Sequence, residues 1–197
     1  VTVDEDDLAA GSDLTPEPLT QAGDFTISAP DGLNALTVGT VNVIVNGEYV
    51  GGSATTPLGN TLTFIGYNPE TGVVSYTYTL STAETHADGA DENSLFENFT
   101  VTLTDLDGSA TDSILSVNIV DDIPEAKADE DSVTEDDFSG ERESVSADGN
   151  VLTGVGGSDV NDTDGVDDTE GADGATVTAV AFDATPGVEG GLVAGVV

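Results

Sequence analysis

The residues of this chain with the types and spacing for chemistry are its carboxylates, and they come in groups. Asp4-Glu5-Asp6-Asp7 lies near the start, and Asp105 and Asp107 flank Leu106 just before Gly108. Asp121-Asp122 precedes Pro124, and Asp129-Glu130-Asp131 follows it. A last run reads Asp162-Thr163-Asp164-Gly165-Val166-Asp167-Asp168. Carboxylates at i and i+2 around a tight glycine turn can point at one hard cation, held at about 2.3–2.6 Å. Like-charged runs such as Asp4–Asp7 repel themselves unless a divalent cation neutralises them. Taken alone, Asp105–Gly108 is simply a good hairpin turn, while the 162–168 run reads equally as a calcium-type acidic loop and as a solvated acidic segment. The turn gains weight from its company, because Asp121 and Asp122 end the strand that partners it and Asp4-Glu5 opens the same domain. Calcium is therefore the expected cofactor. Its candidate ligands are Asp4, Glu5, Asp105, Asp107, Asp121, Asp122, Asp129, Glu130, Asp131, Asp162, Asp164 and Asp167. The 162–168 loop is not an EF-hand: with Gly165 at loop position six, Val160 falls at position one and no glutamate at position twelve.

Other chemistries fare worse. The only histidine, His86, sits in a polar stretch with no nucleophile signature beside it, and it reads as a surface residue. Carboxylate pairs are plentiful, but nothing places two of them across an aromatic-lined cleft for glycoside hydrolysis. Zinc is disfavoured by the absence of Cys and the single His. The Thr-x-Thr rows (Thr77 and Thr79; Thr100, Thr102 and Thr104) read as ordinary solvated strand faces. An enzyme is not expected.

The charge balance sharpens this. Thirty-nine acidic residues face two basic ones, for a net charge of −37, so nucleic acid and anionic membrane surfaces are repelled. The acids are unevenly placed. Only Asp31, Glu48 and Glu70 fall between Phe25 and Ala83, whereas Asp121 to Asp173 holds nineteen of the 39. Halophilic adaptation would coat strand faces with acid, but here those positions are Ser and Thr and the acids crowd into turns and linkers. Cation sites explain the pattern better. No Cys is present to staple an extracellular fold, no apolar run reaches membrane-spanning length, and the lack of any Met suggests a piece of a longer chain.

The elements that must position these acids are strands. Phe25–Ser28 is short and closes at Pro30-Asp31-Gly32. Leu33, Leu36 and Val38 continue the pattern, and Val41, Val43 and Val45 alternate towards Asn46-Gly47, a strong hairpin signal. Leu62 and Phe64, then Val74, Tyr76, Tyr78 and Leu80, alternate with Thr and Ser around the Asn68–Gly72 turn. Ser81–Asn98 reads as a polar loop. Phe99, Val101 and Leu103 form an inward row that the 105–108 turn hands over to Leu115, Val117 and Ile119. Period-two alternation without helical periodicity predicts an all-β, antiparallel Ig-like or cadherin-like β-sandwich over 1–122. An acidic linker follows over 123–131, stiffened by Pro124. Residues 132–197 read as an incomplete second repeat, with strands expected at Ser132–Thr134, Asn150–Thr153 and Ala175–Phe182.

The run PETGVVSYTYTL … NSLFENFTVTLTDLDGSATDSILSVNIVDDIPEA resembles the extender repeats of giant type I-secreted RTX adhesins of Gram-negative bacteria. DSVTED … GNVLTG … DGVDDTEGADGATVTAVAF resembles the start of the next repeat. The resemblance implies calcium within and between repeats, export without disulfides, and a place on the bacterial cell surface in adhesion and biofilm formation. By motif it points to Asp105 and Asp107 in the turn, Asp121 and Asp122 in the linker, and Asp4 or Glu5 at the domain start. Neighbouring repeats of the same chain would be its partners, with host or abiotic surfaces met through other domains and no direct membrane insertion. The alternative is a calcium-dependent domain that itself binds a sugar or peptide. No GGxGxDxUx nonapeptide is present.

Overall fold

The computed structural model describes residues 1–87, 92–127, 150, 152–154, 166–176, 179–182 and 191–194. It is an all-β sandwich. One sheet has six strands: β1 (Thr2–Asp4), β10 (Ala110–Val120), β9 (Ser94–Asp105), β3 (Leu33–Val38), β4 (Val41–Val45) and β5 (Glu48–Tyr49), in that spatial order. The facing sheet has four: β2 (Thr20–Thr26), β8 (Val73–Thr79), β7 (Thr61–Asn68) and β6 (Gly52–Thr55). A separate pair, β11 (Ala179–Phe182) and β12 (Gly191–Ala194), is antiparallel. The expected strands at Ser132–Thr134 lie outside the described residues. Around Asn150 the expected strand is instead a turn, with Gly154 N–H donating to the Asn150 carbonyl at 2.9 Å.

The core follows from the alternation. Val74, Tyr76 and Tyr78 on β8 face Leu115, Val117 and Ile119 on β10 within one cluster that also holds Leu36, Leu62, Phe99 and Val101. Each such side chain taken fully out of water contributes about 1.5–3 kcal/mol. The Asn46-Gly47 hairpin forms as expected, with φ of 52° and 78°, the two positive values that a two-residue turn of this kind requires. The alternation of β4 breaks, because a register shift in its pairing with β3 lets Ile44 oppose Leu36 while Asn42 opposes Thr37. Val43 becomes the extra residue of a bulge, Val43 and Ile44 both turn inward, and Val45 is exposed.

Two features set up the site. First, β1 pairs with β10 in parallel, Asp4 opposite Val120, so residues 5–7 emerge beside Asp121 and Asp122. The opening acidic run is thereby delivered to the end of the last strand. Second, β9 begins at Ser94 rather than after Asn98, so part of the expected polar loop is strand. Its inward register carries Glu97 into the core, where one carboxylate oxygen accepts the Tyr78 hydroxyl at 2.6 Å. Burial, followed by the hydrogen bond and charge of Glu97, pushes the Tyr78 phenol far above its ordinary range.

Candidate metal centre

Directly after β1 the chain makes one 3-10 turn, Glu5–Asp7, with the Asp4 carboxylate accepting the Asp6 N–H at 3.3 Å as its cap. The turn buries Glu5 and Asp7, and each joins a separate cluster of ligating atoms.

The first cluster is Glu5, His86 and Asp121, whose ligand atoms lie within 4.8 Å of one another. Glu5 is fully buried. Its Oε1 accepts the Glu84 N–H at 2.8 Å and lies 3.0 Å from His86 Nε2, while Oε2 is buried with no hydrogen-bond partner among the described residues. His86 is not the surface residue the sequence suggested: its side chain is 4% exposed, because the 81–87 segment folds inward over the Glu5 carboxylate. His86 Nδ1 lies 3.1 Å from Asn93 Oδ1. The Asn93 side-chain nitrogen donates to Asp121 Oδ2 at 2.8 Å and to the Ala87 carbonyl at 3.2 Å, and the Asn93 backbone carbonyl accepts the Asp121 N–H at 2.9 Å. Asn93 thus orients both His86 and Asp121. A cavity of about 420 Å³ lies alongside, lined in part by Glu84, His86, Asp121, Asp122 and Asp173.

Electrostatics here favour bound positive charge. Burial raises the Glu5 carboxyl above its usual range, outweighing the Glu84 N–H and His86, and the Asp173 charge adds to the rise. Burial works to lower His86, but the hydrogen bond and charge of Glu5, then Asn93 and Asp121, outweigh it and leave the imidazole raised. Burial also raises Glu84, against the Asn60 amide that donates to its Oε1 at 2.7 Å.

The second cluster, Asp7, Asp13 and Glu17, is all oxygen, again within 4.8 Å. Asp7 accepts the Glu17 N–H, and Asp13 Oδ1 accepts the Thr15 N–H at 2.8 Å. The loop closes because Asp13 N–H donates to the Asp6 carbonyl at 3.2 Å. Gly11 permits this: a Cβ there would sit 2.2 Å from that same carbonyl oxygen. Asp6, in the midst of these acids, is pushed up to about 7 by burial, then by Asp4, Asp7 and Asp13.

Asp122 takes a third role. Its carboxylate accepts Ser12 N–H at 2.9 Å, Ser12 Oγ–H at 2.6 Å and Ala172 N–H at 2.8 Å. It ties the opening loop and the later 166–174 segment to the end of β10. The linker is stapled beyond it. Glu125 and Thr169 exchange backbone hydrogen bonds at 2.9 and 3.0 Å, Lys127 N–H donates to Asp168 Oδ1 at 2.7 Å, and Lys127 Nζ donates to the Asp167 carbonyl at 2.8 Å.

Of the residues singled out from sequence, the fold brings Glu5 and Asp121 into one cluster, with Asp4 and Asp122 beside it as cap and tie. Asp105 and Asp107 are elsewhere. The sequence grouped them with Asp121 and Asp122, but β9 and β10 form one hairpin, so the 105–108 turn sits at the far end of the 11-residue β10, about 35 Å away. Both turn carboxylates fold back on their own loop: Asp105 Oδ1 accepts Ser109 N–H at 2.8 Å, and Asp107 Oδ1 accepts Ser109 Oγ–H at 2.8 Å. Asp167 joins neither cluster, and Asp129, Glu130, Asp131, Asp162 and Asp164 lie outside the described residues. Sequence reasoning missed Asp7, Asp13, Glu17, His86 and Asn93. Asp7 stood in a run already noted, and a lone His among acids was the one available signal for the other cluster.

No family model matches the chain, and no curated protein or solved structure shows significant similarity to it.

Proposed function

We propose that this chain is a calcium-stabilised structural module, an extender of a secreted bacterial surface adhesin, and not an enzyme. The observation that carries the calcium part is the convergence of Asp7, Asp13 and Glu17 at the linker end of the sandwich, next to an Asp6 raised to about 7. Three carboxylates from one irregular loop, with only oxygen donors, suit a large hard cation that accepts flexible coordination, and calcium fits that better than magnesium, which demands near-octahedral geometry. The ion would offset the burial and the neighbouring carboxylates that together hold Asp6 at about 7. At ten to a hundred times its dissociation constant, one such site adds about 1.4–2.7 kcal/mol to the folded state. That is a sizeable share of a domain stability of about 5–15 kcal/mol.

The extender part rests on the resemblance of most of residues 1–126 to adhesin repeats and on the stapled linker. A calcium-dependent loop that contacts Asp122 through Ser12 stiffens the joint through which tandem modules would be connected. The partners of such a module are its neighbouring repeats, and its place is extracellular, where calcium is abundant and disulfides are not needed.

Thermal unfolding and small-angle scattering test this, in EDTA and then in millimolar calcium at constant ionic strength. The expected result is a rise in Tm and a longer, stiffer particle with calcium but not with added sodium, and loss of that rise in Asp13→Asn. The same curves in both buffers would remove the calcium reading and the mechanical reading with it.

A further inference from the structure

Hydrogen counting at His86 leads beyond calcium. The Asn93 amide nitrogen gives its protons to Asp121 Oδ2 and the Ala87 carbonyl, so Asn93 Oδ1 is the acceptor that faces the ring. His86 Nδ1 therefore carries the proton in that contact. In the neutral ring, Nε2 then presents a lone pair to Glu5 Oε1 at 3.0 Å, an acceptor already engaged by Glu84 N–H. Two lone pairs at that distance repel unless a proton or a metal ion lies between them. Glu5 Oε2, fully buried and without a partner among the described residues, is a second acceptor with the same unmet need. A buried carboxylate oxygen left without a donor bears the full desolvation cost of a charged group, so it calls for an explanation.

We propose that Glu5, His86 and Asp121 form a site for a divalent first-row transition ion of the zinc class, separate from the all-oxygen calcium cluster. Imidazole nitrogen selects such ions over calcium, which takes oxygen. A tetrahedral ion with bonds of about 2.0–2.1 Å sets its ligand atoms about 3.3 Å apart, close to the Glu5–His86 separation. The outer shell is also in place. Zinc-ligating histidines donate their other ring N–H to an oxygen acceptor, which here is Asn93, and the same Asn93 holds Asp121. Three protein ligands beside a cavity of about 420 Å³ leave room for water in the fourth position. The ion would bridge the opening turn (Glu5), the 81–87 segment (His86) and the end of β10 (Asp121), three stretches far apart in sequence. The absence of cysteine does not count against it, because every donor is nitrogen or oxygen.

His86 is the only histidine of the chain, so its imidazole nitrogen resonances can be read without ambiguity. The test is a titration of the full 197-residue chain with zinc, held throughout in millimolar calcium, followed by 15N chemical shifts of His86 and by equilibrium dialysis. The expected result is one zinc per chain, retained in excess calcium, with the shift of Nε2 much larger than that of Nδ1. Cobalt in place of zinc should give visible absorption bands of a low-symmetry site. His86→Gln should abolish this binding while leaving the calcium-dependent rise in Tm intact, and Asn93→Ala should weaken it by about 10–100-fold. The wild-type NMR readout needs no variant, so a poorly folding substitution leaves the test decisive. Zinc that calcium displaces, or zinc that binds without moving the His86 resonances, overturns the proposal. Loss of the calcium effect with zinc binding retained would instead remove only the calcium reading.

Discussion

The two ends of the β9–β10 hairpin carry the same kind of residue and do opposite things with it. At the turn end, Asp105 and Asp107 are close in sequence and are satisfied by their own loop, through Ser109 and the turn's backbone amides. At the joint end, Glu5, Asp7, Asp13, Glu17, Asp121 and Asp122 arrive from the opening segment and from the end of β10, and one buried oxygen is left over. Acids adjacent in sequence can solve their electrostatics with local hydrogen bonds, because the backbone supplies donors within reach. At the joint end the acids meet each other instead, Glu5 and Asp121 through the pairing of β1 with β10 and Asp7, Asp13 and Glu17 within one loop, and each group could hold a metal ion. The difference lies in how the charges were assembled, not in how many there are.

The largest expected effect comes from cutting the tie at the joint end. Asp122→Ala removes the acceptor for Ser12 N–H, Ser12 Oγ–H and Ala172 N–H at once. Hydrogen bonds to a charged group contribute about 1.5–3 kcal/mol each, less where water can replace the lost partner. A loss of about 3 kcal/mol in chemical denaturation is expected, with faster amide exchange in residues 166–174 and in the loop around Ser12. Unchanged exchange in 166–174 would mean that the linker is held without Asp122. The comparison of the two ends would then weaken.

An intermediate effect should appear as a pH dependence of unusual sign. Asp6 is raised from its ordinary value to about 7, and Glu5 and His86 are raised as well. A group whose folded pKa lies above its unfolded one contributes stability that is fully present below the unfolded pKa and is lost as pH rises through the folded one. For Asp6 that window runs from about 4 to about 7. In EDTA the protein should therefore gain Tm as pH falls from 8 to 5. In saturating calcium the trend should flatten or reverse, because protons now compete with the ion for the same oxygens. Tm measured across this range in the two buffers decides the matter, and a metal-free protein that loses stability on acidification would show that the joint-end acids are not under strain.

Much of the sandwich was legible because period-two burial is written residue by residue: Val74, Tyr76 and Tyr78, or Leu115, Val117 and Ile119, declare one face without help from the rest of the chain. Asn46-Gly47 was legible for the same local reason. What escaped was non-local. The parallel pairing of β1 with β10 spans over a hundred residues, and nothing in Thr2–Asp4 announces its partner. That one pairing decides which acids meet. The bulge at Val43 was hidden because Val43, Ile44 and Val45 are all apolar and fit either register. His86 was misplaced by the polarity of its neighbours, although Glu84 beside it is buried through its bonds to Asn60 and, by its own N–H, to Glu5. Glu97 went inward for a reason visible only across the sheets, the Tyr78 hydroxyl on β8.

The smallest effect is expected at the turn end, and it is the sharpest control. Asp107 is fully exposed and held below the usual carboxylate range, first by the Ser109 hydroxyl and then by hydrogen bonding with Asp105 and the Ser109 N–H. Asp107→Asn keeps an acceptor oxygen for Ser109 and removes only a solvated charge, so the midpoint of chemical denaturation should not move measurably. The turn conformation should persist, because Gly108 at φ 93° and the Gly108 N–H to Asp105 carbonyl bond at 3.2 Å fix it independently of that charge. The calcium-dependent rise in Tm should be untouched, since the nearest joint-end ligand is most of a β10 length away. If Asp107→Asn instead removed a substantial part of that rise, the turn would be a calcium site in its own right. Charge clustering alone would then suffice to bind the ion, and the distinction between locally satisfied and topologically assembled acids would fail.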